Sequence, residues 1–133
     1  MTKRILVTGA TGFIGQKLCA RLAESRHEIV ALSRFPEKAS EVLPSGTNVY
    51  LWQSHESEPP SEAFQEIDAV IHLAGENVAG RWTKSKQRAI HDSRVIGTRK
   101  LIATMRAADA TPEVFISASA IGFYGDRADE ELT

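Results

Sequence analysis

Short apolar or β-branched runs recur along the chain at Ile5–Val7, Ile29–Leu32, Val49–Trp52, Ala69–Leu73 and Val114–Ile116. Each has about the length of a buried strand, and none alternates cleanly between apolar and polar positions. Continuous runs of this sort suit a parallel sheet covered on both faces. The stretches between them carry helical spacing. Ile14, Leu18 and Leu22 stack one turn apart after the first run, as on one side of a helix. Glu37–Leu43, set between Pro36 and Pro44, predicts a second helix. Glu62–Glu66 predicts a short third one, with Ser61 as its cap. The fourth is long, capped by Thr83 and running to about Ala108 ahead of Pro112. This alternation predicts right-handed crossovers and an α/β fold, a doubly wound parallel sheet with its strands in the order 3-2-1-4-5. No internal repeat or interdomain linker interrupts it, so residues 1–133 are read as one domain. Ser54–Ser61, acidic and containing Pro59 and Pro60, reads as an exposed loop whose charge serves solvation.

Composition narrows the classes of function. A chain of 133 residues, 42% of them apolar, can bury a sizeable core. Its 16 Lys and Arg against 17 Asp and Glu argue against a nucleic-acid partner held by bulk positive charge. Lys84, Lys86, Arg88, Arg99, Lys100 and Arg106 read instead as the solvated face of the long helix. No apolar run approaches the roughly 20 residues of a membrane span. Ile5–Val7 is also shorter than the core of a signal peptide, about 7–15 residues. Cys19 is the one cysteine, so neither an internal disulfide nor a cysteine zinc site is expected, and a reducing, cytoplasmic setting is. Cys19 itself reads as a small buried hydrophobe. His27, His55, His72 and His91 lack ligand spacing, and no metal is expected. Trp52 and Trp82 read as packing residues.

Residues 8–15, Thr-Gly-Ala-Thr-Gly-Phe-Ile-Gly, place Gly9, Gly12 and Gly15 where a strand gives way to a helix. A dinucleotide-binding loop requires that context. Gly9 permits the tight turn, Gly12 lets backbone approach a pyrophosphate, and Gly15 lets the helix close on the sheet. Free N–H groups and the helix dipole would hold the anion. A glycine-rich turn that binds nothing is the plainer alternative. An NAD site usually places Asp or Glu about 20 residues past the glycines. Here the second strand ends Ala31-Leu32-Ser33-Arg34, and Glu28 lies at its other end. Ser33 can donate a hydrogen bond and Arg34 can pair with a 2′-phosphate, so NADP(H) is expected over NAD(H). An unliganded surface arginine is the alternative.

Two further residues stand out. Ile90, Arg94, Gly97 and Leu101 share one face of the long helix, which predicts that Arg94 is buried against the sheet. A buried guanidinium needs an anion, such as a cofactor phosphate or a carboxylate. An arginine that reaches solvent and pairs with a local acid is the alternative. Ser119 follows the fifth strand, at the carboxyl edge where open α/β sheets bind ligands. It is a candidate catalytic group, or else a serine that closes a turn.

The spacing of TGATGFIG resembles that of the extended short-chain dehydrogenase/reductase superfamily. Leu73-Ala74-Gly75 is similar to its Asn-Ala-Gly loop, and Gly97-Thr98 with Leu101-Ile102 to its mid-helix pattern. Ser117-Ala118-Ser119-Ala120 with Tyr124-Gly125 resembles its active-site strand end. HLAGENVAGRW over 72–82, followed by Ser93-Arg94, is similar to an atypical branch of the NAD-dependent epimerase/dehydratase proteins, the "epimerase family" associated with nucleoside-diphosphate-sugar epimerases. The resemblance implies a Rossmann sheet with an NADP site built from Gly9, Thr11, Gly12, Phe13, Ile14, Gly15, Ser33, Arg34, Leu73, Ala74, Gly75 and Arg94. It implies that Ser119 hydrogen-bonds the substrate oxygen during hydride exchange with a small-molecule substrate such as a nucleotide sugar. It implies a family chain about twice this length, of which this is the N-terminal part.

The superfamily moves its proton with a Tyr-x-x-x-Lys pair. Here Tyr50 is followed by Ser54 at that spacing and Tyr124 by Ala128. The chain by itself is therefore expected to be inactive. A non-catalytic NADP(H)-sensing or regulatory protein is the alternative, and a folded piece that binds no cofactor is a third reading. With no sixth strand, the Val114–Ser119 segment would be an apolar open edge, and self-association as a homo-oligomer is expected there.

Overall fold

The structure, a computed structural model, describes residues 1–120 and 125–131. Tyr124, one of the residues carrying the resemblance, lies outside the described residues. The five apolar runs become β1 (Arg4–Thr8), β2 (Glu28–Ser33), β3 (Asn48–Leu51), β4 (Ala69–His72) and β5 (Val114–Ser117). They form one sheet in the order β3-β2-β1-β4-β5, and every neighbouring pair is parallel. The expected topology is the observed one. Leu6, Val30, Leu32 and Val70 face one core with Trp52, Phe64 and Leu101. Ile5, Val7, Ile29 and Ala31 face the other with Cys19, Ala39 and Leu43. Two buried faces explain why the central strands are apolar without alternation.

Helices α1 (Phe13–Glu24) and α2 (Pro36–Val42) supply the second core, while α3 (Lys84–Ala107) and the 3-10 turn Ser61–Phe64 supply the first. Thr83 caps α3 as expected, its side chain accepting the Lys86 N–H at 3.1 Å. None of the described helices is long and apolar enough to cross a membrane.

Four expectations are corrected. Ile14 is 68% exposed, while Leu18 and Leu22 pack on the second core beside the buried Gly15 and Cys19. The helix approaches the sheet most closely at its glycine, so the buried stripe turns by one position. Arg94 is exposed, and α3 buries Ser93, Gly97 and Leu101. The third helix is only a 3-10 turn, with Pro60 at its cap position and no side-chain cap from Ser61. Ser54–Ser61 is not merely a solvated loop. It opens with a 3-10 turn, Ser54–Glu56, packed on α3, and its Glu58 pairs with Lys100 at 3.1 Å.

β5 ends the sheet, and all of its residues are exposed. At the amino edge, Lys3 pairs with Glu113 at 3.0 Å and Arg4 with Glu28 at 3.5 Å, tying strand starts together far from the carboxyl edge.

Candidate functional site

At the carboxyl edge of β1, Gly9 takes a positive φ of 67° and turns the chain under the loop that follows β4. A β-carbon at Gly9 would stand 2.8 Å from the Leu73 carbonyl carbon, so only glycine allows this approach. Gly12 precedes α1 and no side chain caps it. The first N–H groups of α1, those of Phe13, Ile14 and Gly15, therefore lack an intrahelical partner. Phe13 and Ile14 point their side chains to solvent, at 80% and 68% exposure.

A cavity of about 290 Å³ opens beside this loop. Of the residues singled out in the sequence, it brings together Gly9, Thr11, Gly12, Ser33, Arg34, Leu73, Ala74 and Gly75. Phe13, Ile14, Gly15, Arg94 and Ser119 do not line it. Ser119 lies beyond β5 in exposed backbone, next to Ala118, whose N–H donates to the His72 carbonyl at 2.9 Å.

The tip of β2 forms one wall. The Ser33 hydroxyl accepts the Phe35 N–H at 3.1 Å, which leaves its own proton free to donate. Arg34 is exposed, its guanidinium 5.8 Å from the centre of the Phe35 ring. The carboxylate nearest this strand in sequence, Glu28, is at its opposite end and receives the Asn48 amide at 3.2 Å.

Trp52 and the 3-10 turn form a second wall that the sequence did not reveal. Trp52 is 3% exposed and donates its indole N–H to the Ser57 carbonyl at 3.0 Å. It packs, as expected. Trp82 does not. It is 56% exposed and donates to the Val78 carbonyl at 2.7 Å.

The third wall is Glu76, which α3 grips by every polar group it has. Its N–H donates to the Ser93 hydroxyl at 2.9 Å, its carbonyl accepts from Arg94 at 3.1 Å, and its carboxylate pairs with Lys86 at 2.9 Å. The hydrogen bond from Lys86 is the main cause holding the Glu76 carboxyl below its ordinary pKa, and the positive charge of Arg34 adds to it. Arg94 thus finds carbonyls rather than a buried anion, since the Ile90 carbonyl also accepts from it, at 3.2 Å. Its guanidinium covers Gly75, where a β-carbon would come within 3.0 Å of the guanidinium carbon.

The sequence profile of the NAD dependent epimerase/dehydratase family matches residues 5–133. The chain belongs to that family. It is an epimerase-like member with the Rossmann sheet of a nicotinamide-cofactor-binding domain. Epimerase family protein YfhF of Bacillus subtilis is 34% identical over 97% of this chain and 41% of its own length. A chloroplastic epimerase family protein of Arabidopsis thaliana, a homolog of SDR39U1, is 37% identical over 91% of this chain and 35% of its own. The chain thus spans about two-fifths of the length of the curated relatives it matches. Among solved structures, human epimerase family protein SDR39U1 with NADPH superposes at a TM-score of 0.69, with 30% identity over 91% of this chain and 38% of that one. MoeE5 in complex with UDP-glucose and NAD superposes at 0.72, with 28% identity over 97% and 40%.

Proposed function

We propose that this epimerase-family chain is the cofactor-binding part of an NADP-dependent epimerase or oxidoreductase. The observation that carries this reading is the β2 tip. Ser33 and Arg34 sit in the wall of one cavity with Gly9 and Gly12, and the strand's carboxylate, Glu28, lies at its far end. A hydroxyl donor with a guanidinium suits a 2′-phosphate, whereas an NAD site would place a carboxylate there. The uncapped start of α1 and the turn at Gly9 suit the pyrophosphate. Leu73, Ala74 and Gly75 would form the opposite wall. Arg94 would act through that wall, by holding Glu76 and covering Gly75.

When bound, the cofactor would supply or accept hydride. The chain's own part is to bind and orient it, with Ser119 as the candidate donor to a substrate oxygen at the same edge of the sheet. NADPH accompanies the human relative and UDP-glucose the MoeE5 structure. The first supports NADP as cofactor; the second, which holds NAD as well as UDP-glucose, supports a nucleotide sugar as the class of substrate for the whole protein. Fluorescence titration of the chain with NADPH and with NADH is the test. Tighter binding of NADPH is expected. Equal affinities would remove the 2′-phosphate reading, and no binding of either would remove the cofactor reading altogether.

A further inference from the structure

Thr8 and His72 are register partners at the ends of β1 and β4, and both are buried, at 0% and 3% exposure. Thr8 Oγ1 lies 2.6 Å from His72 Nδ1. The same oxygen receives the Ala74 N–H at 3.0 Å and the Leu73 N–H at 3.1 Å, the latter shared with the Thr8 carbonyl at 3.2 Å. A hydroxyl offers one proton and two lone pairs. With two backbone donors directed at its lone pairs, the hydroxyl is placed to give its proton to Nδ1, which then serves as a bare acceptor. The ring proton then sits on Nε2, which faces Thr98 Oγ1 of α3 at 2.9 Å.

Leu73 and Ala74 are part of the cavity wall, and the peptide joining them, with the Ala74 N–H held in this way, is pressed against Gly9 at the contact that excludes a β-carbon there. We propose that His72 is a positioning residue of the cofactor site: as an acceptor it orients the Thr8 hydroxyl, whose lone pairs pin Leu73 and Ala74 beside Gly9. The functional consequence rests on the NADP reading above; the hydrogen-bond chain does not. Protonated His72 would present a donor at Nδ1. The Thr8 oxygen would then face three donors with two lone pairs; the Leu73 N–H keeps the Thr8 carbonyl as acceptor, so the hold on the Ala74 amide is the one in competition.

The groups packed on the ring are Thr8 from β1, Trp52 after β3, Thr98 from α3 and Phe115 from β5. None of them titrates. Burial is what lowers the pKa of His72, and no charged side chain among the described residues contributes. The ring is therefore neutral at neutral pH, and acid opposes the arrangement.

Nitrogen-15 NMR of the cofactor-free chain tests the chain of bonds directly. A bare Nδ1 and a protonated Nε2 are expected at neutral pH, and a protonated Nδ1 overturns the proposal. Amide exchange at Ala74 should accelerate in Thr8→Val and return to the original rate in Thr8→Ser, with a smaller change at Leu73, whose N–H also reaches the Thr8 carbonyl. In NADPH titrations, Thr8→Val should weaken binding about tenfold and Thr8→Ser by no more than about twofold. His72→Asn keeps an acceptor near the Nδ1 position but cannot take up a proton. The 2′-phosphate itself titrates near pH 6, so wild type and His72→Asn are compared at each pH. Wild type should lose the greater share of its affinity on acidification, and identical profiles overturn the proposal. Should no form of the chain bind NADPH, the cofactor reading fails, and NMR and amide exchange still decide the role of His72.

Discussion

Ser54 Oγ stands 2.5 Å from the place that a β-carbon would take on Gly97. The same hydroxyl donates to the Ser93 carbonyl at 3.2 Å. The turn after β3 is thus seated on α3 through the gap left by a missing side chain, and this seats one wall of the cavity.

Gly97→Ala should therefore destabilise the fold, although alanine in a helix is ordinarily favoured over glycine by about 1 kcal/mol. Ser54 Oγ can rotate out of the way only by giving up its bond to the Ser93 carbonyl, and that should turn the gain into a net loss of about 1 kcal/mol. The next atom of Ser54 is 3.7 Å away, so adding Ser54→Ala should recover most of the loss. Urea denaturation of both single variants and the double variant measures the coupling. Strictly additive costs would contradict the contact.

Gly15→Ala should be far more damaging. A β-carbon there would run into the backbone carbonyl oxygens of Gly9 and Ala10, and neither can rotate away as a serine side chain can. A loss of about 3 kcal/mol or more is expected, read as a fall in the urea midpoint. A neutral effect would mean that α1 stands farther from the loop than described.

Arg34→Ala should weaken NADPH by about 1.5–3 kcal/mol, the scale of a charged hydrogen bond, and leave NADH nearly unchanged. Parallel fluorescence titrations check this. Equal losses for the two cofactors would show that Arg34 does not read the 2′-phosphate.

The Glu76–Lys86 pair predicts a dependence on pH. Lys86 holds the Glu76 carboxyl below its ordinary value of 4.5. A carboxyl depressed by folding adds stability above that ordinary value, and the contribution is lost as pH falls through the lowered one. Lys86→Met should cost stability near pH 7, and the difference from wild type should shrink as pH falls below 4.5 and vanish once it passes the lowered pKa. Thermal unfolding across that range measures it. A difference that persisted in acid would point to lost packing of the lysine stem instead.

Val114, Phe115 and Ile116 are 47%, 36% and 52% exposed on an edge strand with no Lys or Pro inside it. The 133-residue chain should associate with a second copy of itself along β5. An interface of standard size would bury about 1,600 Å² in total. Sedimentation at micromolar concentration reports the outcome. A strictly monomeric chain with fast amide exchange along β5 would show that the edge is tolerated.

Local pattern was enough for the architecture. The runs of β1, β2 and β4 became central strands because their apolar residues are covered on both faces, and Thr83 began α3 because its hydroxyl can reach a free N–H three residues on. Gly9, Gly12, Ser33 and Arg34 were legible for the same reason, since turn geometry and strand-tip chemistry are written in adjacent residues. Periodicity also grouped Arg94 with Gly97 and Leu101. It could not say which edge of that face would be buried. Contact with the turn at Ser54 settled it, placing Ser93 inward and Arg94 on the rim. His72 was the largest omission, read as one of four scattered histidines. Its partners are Thr8, 64 residues earlier, and Thr98, 26 residues later. Only the parallel register of β1 and β4, with α3 laid across them, brings three polar groups of such separation into one buried line. A hydrogen bond depends on ångströms and direction, and neither exists for distant residues until the chain has folded.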